Sequence, residues 1–172
     1  MTFNEFISLC SMLGTWVAAL AMIGTLVIAK VALNTWKEQE IMKSKKDFKM
    51  ALLEMKFALV WLPEEINFDQ LMAGRNLLYP INKEGNSPIP LDEQIFYKSY
   101  AGEFEKFENA MQKSWQYWSA CEGLFKGSHV EELWAVLLGA HNEYTHGLEK
   151  QSKLLAPLNA LLKEEMYFKT KN

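Results

Sequence analysis

Two of the chain's three histidines frame one hexapeptide, His141-Asn142-Glu143-Tyr144-Thr145-His146. Imidazole ligates metals and exchanges protons near neutral pH, so this is where chemistry is sought first. Helical zinc ligands stand four residues apart, on one face. A spacing of five places His141 and His146 roughly 140° apart around a helix. No Cys lies nearby and the sequence offers no third ligand, so neither a metal nor another cofactor is expected. The chain carries no Gly-rich phosphate loop and no nucleophile motif.

The hexapeptide resembles the R-N-x-x-x-H signature of HEPN domains, helical bundles that often act as RNases when two protomers join their Arg and His. Asn142 and His146 match, whereas the Arg position holds His141. The chain's one arginine, Arg75, lies outside the motif. Cleavage of RNA by 2′-OH attack needs a proton carrier, the role His146 would take, and a cation to hold the phosphate. A histidine at position 141 is a poor replacement for a permanently charged, bidentate guanidinium. The resemblance therefore implies a remnant site (His141, Asn142, His146) that shapes a subunit contact, with no confident catalytic residue.

Helices must position these residues. Ser128-His129-Val130-Glu131 reads as a capping box, and the helix it opens carries Leu133, Val136, Leu137, Ala140 and Tyr144 inward to about Leu155. Pro157 then starts or kinks a last helix reaching about Lys169. Upstream, a long helix from near Asp92 to the Gly123–Gly127 region presents an aromatic row: Phe96, Tyr100, Phe104, Phe107, Met111, Trp115 and Trp118. Helical spacing makes that row core. Before it, Ile81–Pro90 reads as a loop and Phe68–Leu77 as a short helix. No stretch alternates as a strand, so the fold class is all-α, a bundle of four or so helices in the divergent HEPN-like manner.

The N-terminal third is different in kind. From Phe6 to Ala29 there are 24 residues without a charge, about 36 Å of helix against a hydrocarbon core of ~30 Å. No Lys or Arg precedes the run, and it is long for a signal peptide, so a retained single span is expected. Residues 30–56 hold seven Lys against four acids, whereas 57–172 hold eleven basic residues against sixteen acids. Lys-rich flanks stay inside, which puts residues 1–5 outside and the C-terminal domain in the cytoplasm. The net charge of -3 gives no platform for direct nucleic-acid binding. The two cysteines, Cys10 and Cys121, define no disulfide framework.

No Pro or Gly interrupts Val31–Leu62, so the span is expected to continue as one helix over 30–62, ended by Pro63, with 63–172 as the cytoplasmic domain. The stripe Phe48, Leu52, Met55, Leu59 and Leu62, joined by Leu53, Phe57, Val60 and Trp61, packs into that domain. Within the span Ser11, Gly14, Ala18, Ala21 and Thr25 recur at spacings of three and four. Small residues in that pattern let helix backbones approach in a bilayer, a seam for a homo-oligomer.

The layout as a whole (one span, an all-helical domain, the degenerate motif near the C-terminus) resembles the small transmembrane accessory proteins of type VI-B CRISPR loci. That resemblance implies a membrane ring or pore that strengthens RNA-guided antiphage defence without nuclease activity. The partners implied are the lipid bilayer, further copies of the chain and a defence-system effector complex. Two alternatives stand beside it: a membrane-tethered HEPN-like RNase, and a non-catalytic adaptor that docks a cytoplasmic partner.

Overall fold

The computed structural model describes residues 3–79 and 89–164. Five helices follow in order: α1 Phe3–Val60, α2 Phe68–Leu78, α3 Leu91–Phe125, α4 His129–Thr145 and α5 Gln151–Lys163. No strand occurs among the described residues, and the all-α expectation holds. The chain divides into two units, Met1–Met42 and Lys43–Asn172. Positions 81–88 of the expected loop and 165–169 of the expected last helix lie outside the described residues.

In the first unit every described side chain of α1 is exposed. Trp16, Leu20, Leu26 and Ile28 are each more than 60% exposed, and none of the most apolar window of the helix is buried. Hydrophobic side chains left this open in a helix of such length do not describe a soluble core helix. This is one helix long and apolar enough to cross a membrane.

The second unit is built on the C-terminal end of α1. Phe48, Leu52, Met55, Leu59 and Leu62 are all buried, as their spacing predicts. Phe57, Val60 and Trp61 are not; they lie on the opposite side of the helix turn and stay exposed. The helix stops two residues before the expected Leu62. Trp61 and Leu62 donate i→i−3 bonds to Ala58 and Leu59, a tightened last turn ahead of Pro63, which cannot continue the pattern.

Phe48 joins three helices. Its ring lies 5.4 Å from Trp118 of α3 and 5.4 Å from Trp134 of α4, and those two indoles stack at 5.2 Å. Phe125 completes the cluster, 5.8 Å from Trp118. The aromatic row of α3 is core at Tyr100, Phe104, Phe107, Met111 and Trp118. Phe96 and Trp115, at 56% and 50% exposed, depart from the expected row. Both positions share the helical phase of the buried face, so the extent of the neighbouring elements, and not the period, leaves them open. On α4 Leu137 and Tyr144 are buried as expected, Leu133 and Ala140 pack against the core, and Val136 faces out. Val130 and Trp134 are further buried positions.

The expected helix from Ser128 to Leu155 is two helices. Gly147 adopts φ 67, and Gly147 and Leu148 donate to the carbonyls of Tyr144 and Glu143. A left-handed glycine that returns its N–H to the last turn ends a helix. The chain reverses there, and α5 begins at Gln151 with Pro157 inside it instead of at its start. The Ser128 cap is also altered. Its hydroxyl donates to the Phe125 carbonyl at 2.5 Å, and Glu131 accepts from the Gly127 N–H, one residue before the position a capping box uses.

Candidate functional site

The hexapeptide occupies the last turn and C-cap of α4. Tyr144, its middle aromatic, is fully buried. The ring meets Phe107 edge-on at 6.1 Å, and the hydroxyl donates to the Pro63 carbonyl at 2.7 Å. This anchor decides where the flanking polar residues point. His141, one helical turn earlier, is drawn to the same side and leaves only 18% of its side chain exposed. Its ring packs 5.5 Å from Phe107. Asn142 and His146 fall on the exposed side.

His141 meets a residue the sequence reading did not single out. Its Nε2 stands 3.4 Å from Oε1 of Glu108 on α3. Among the described residues neither atom makes a hydrogen bond, though both are closed off from solvent. At that separation the contact is long for a hydrogen bond. Its signal was in the sequence, since Glu108 follows Phe107 and lies one turn from Phe104 and Met111, on the flank of the apolar face. A carboxylate beside His141 repels anions, which is the reverse of what an RNA phosphate requires.

His146 is the C-cap of α4. Its Nδ1 lies 2.7 Å from the Asn142 carbonyl. A carbonyl only accepts, so Nδ1 carries the hydrogen, and the imidazole adds to a helix-end carbonyl that also accepts from the His146 N–H and the Thr145 hydroxyl. The two motif histidines thus have separate tasks, His141 on α3 and His146 on its own helix end. Arg75 is also engaged elsewhere, its guanidinium 5.3 Å above the Phe104 ring. Among the described residues no three His, Cys, Asp or Glu side chains are placed to share a metal ion.

Ser11, Gly14, Ala18, Ala21 and Thr25 are all exposed on α1. A Cβ added at Gly14 meets nothing within 4 Å. Thr25 donates its hydroxyl to the Ala21 carbonyl at 2.9 Å, and Thr15 does the same to Ser11. Both threonine hydroxyls are thus satisfied within the helix, and along the stripe Gly14, Ala18 and Ala21 offer close approach with no polar side chain.

Three structural features that position this region were not read from the sequence. Gln151 donates from Nε2 to the carbonyls of Leu59 and Leu62 at 2.7 and 2.8 Å, closing the end of α1. Asn67 caps α2 through Gln70 and donates its own N–H to the Tyr100 hydroxyl at 3.2 Å. Gly74 lets α2 lie directly on α3, where a Cβ would run into the Tyr97 carbonyl oxygen. No family model, curated protein or solved structure matches the chain.

Proposed function

We propose that this chain is a single-pass protein of the bacterial inner membrane that self-associates through its span and acts on the bilayer as a non-catalytic effector. One observation carries the reading: the first unit is a long apolar helix whose described side chains are all exposed. A surface of that kind is stable only against lipid, against copies of itself, or both. The small-residue stripe favours copies along one face, and the larger side chains favour lipid on the others. The N-terminus lies outside and the helical domain inside, as the lysines after the span require.

The hexapeptide serves packing in this reading. His141 supports the α3–α4 seam and His146 caps α4, so the domain organises the span and cuts no RNA. The setting in RNA-guided antiphage defence, and the HEPN-like ancestry of the domain, rest on the resemblance of layout and motif to type VI-B accessory proteins.

The test is the mass of the full chain in a mild detergent, followed by ion flux from liposomes that contain it. A defined oligomer with flux supports the effector. A clean monomer removes self-association, and an oligomer without flux leaves an anchor for a cytoplasmic partner in its place. Alkaline extraction of membranes with N-terminal sequencing tests the span itself. Recovery of a soluble chain that has lost its first residues would make the helix a signal sequence.

A further inference from the structure

A cleft of about 360 Å³ opens where α1 ends, lined from the α1–α2 connection, α2 and α3. Two large aromatic side chains stand open at it: Trp61 is 74% exposed and Phe96 56%. Tyr100 lies behind Phe96, the two rings stacked at 6.4 Å. Every charge on the described residues that line the cleft is negative, contributed by Glu65 and Glu103. Aromatic faces and carboxylates attract the same kind of ligand. The faces carry negative potential and favour a cation over water when the cation is large and weakly hydrated.

We propose that this cleft binds a small organic cation, an alkyl- or quaternary ammonium, held against Trp61 and Phe96 with Glu65 and Glu103 as counter-charge. The rim already attracts that chemistry. Lys150 approaches Glu65 at 3.3 Å and Lys106 approaches Glu103 at 2.7 Å. Both lysine side chains are more than half exposed, and ion pairs in contact with water exchange readily. A ligand that adds aromatic contact to the same charge displaces them. The two carboxylates also repel phosphate, so the ligand is a free cation and not a phospholipid headgroup.

The proposal is tested by calorimetric titration of the full chain in a maltoside detergent with choline, with its neutral isostere 3,3-dimethylbutanol, and with phosphocholine. Choline is expected to bind at roughly millimolar concentration, and the isostere and phosphocholine about tenfold more weakly. Trp61→Ala should weaken choline about tenfold, while Trp61→Phe stays within about threefold. Trp61 is an open position, so neither variant disturbs the core. Glu65→Gln combined with Glu103→Gln should weaken choline several-fold and leave the isostere unchanged. Equal affinity for choline and the isostere would reduce the cleft to an apolar hollow, and an unchanged Trp61→Ala variant or the absence of choline binding would overturn the site.

Discussion

The Tyr144 hydroxyl donates to the Pro63 carbonyl across 81 residues of sequence, at 2.7 Å. One buried phenol thus ties the C-terminal turn of α4 to the corner where α1 gives way to α2. Tyr144→Phe keeps the ring and deletes only that bond. The variant should lose about 1–2 kcal/mol, because the Pro63 carbonyl is left without its partner. Urea unfolding of the detergent-solubilised chain, followed by tryptophan fluorescence, measures it.

Alkaline pH should act through two buried groups. Burial pushes the Tyr144 phenol well above its ordinary 10.0, helped by Tyr100 and Glu64. Burial also pushes the Cys121 thiol from 9.0 to about 11, against a smaller opposing effect of Lys45. Both are neutral when protonated, and the unfolded chain releases their protons first. Their contribution is therefore complete below pH 9 and falls as pH rises, first for the thiol between 9 and 11, then for the phenol above 10. The unfolding midpoint should drop through that window, and Tyr144→Phe should flatten the part above pH 10.

The same burial protects Cys121 from reagents. At pH 8 its alkylation by iodoacetamide should be at least about 100-fold slower than in the unfolded chain. Peptide-level mass spectrometry reads Cys121 separately from Cys10. Alkylation at the rate of an open thiol would show that the α3 face is not closed.

The two motif histidines should part company on substitution. His141→Ala removes packing on Phe107 and leaves the hidden Glu108 oxygen without its neighbour, at a cost of about 1–2 kcal/mol. His146→Ala removes an exposed cap and should stay within about 0.5 kcal/mol. A nuclease would invert the importance of the pair: His146→Ala would abolish metal-independent RNA cleavage. Incubation of both variants with labelled RNA separates the two cases.

Gly14→Leu and Ala18→Leu should weaken self-association at least about tenfold, since bulk on the stripe holds helix backbones apart. Analytical ultracentrifugation in detergent reads this directly. Leucine on the opposite face, at Val27, is the control and should change nothing. Equal assembly in all three variants would separate the stripe from the oligomer.

Gly74→Ala should be the most damaging single methyl in the domain. The added carbon meets the Tyr97 carbonyl and comes within 2.8 Å of the Ala101 Cβ. Backbone cannot give way as a side chain can, so a loss of about 3 kcal/mol or more is expected. Loss of helical signal on moderate heating measures it.

The chain's periodicities made the helices legible. The Phe48–Leu62 stripe, the interior of the α3 row and the ends of α2 follow from apolar spacing and punctuation alone. What escaped depends on partners distant in sequence. Gly147 resembles any glycine until its positive φ is seen, and so α4 and α5 read as one helix. Phe96 and Trp115 are as hydrophobic as core residues, and only the placing of the neighbouring elements leaves them open. The hexapeptide was legible as residues but not as geometry, because Glu108, which determines what His141 can do, lies 33 positions earlier. Gln151 gave no signal at all, since an amide at a helix start is ordinary until it reaches another helix's carbonyls.

The pairing of α1's buried end with α5 has a consequence for biogenesis. Gln151 closes Leu59 and Leu62 from 92 and 89 residues away, and Lys49 reaches the Glu164 carbonyl across 115. α1, made well ahead of α5, is thus finished by it. Until α5 emerges, Phe48, Leu52, Met55 and Leu59 have no complete shelter, and the nascent chain presents two sticky surfaces in tandem. The open apolar helix of the first unit is already made while the second unit still waits for α5. Slow synthesis through α4 and α5 would lengthen that wait, which makes late translation the step at which this chain is most exposed to aggregation.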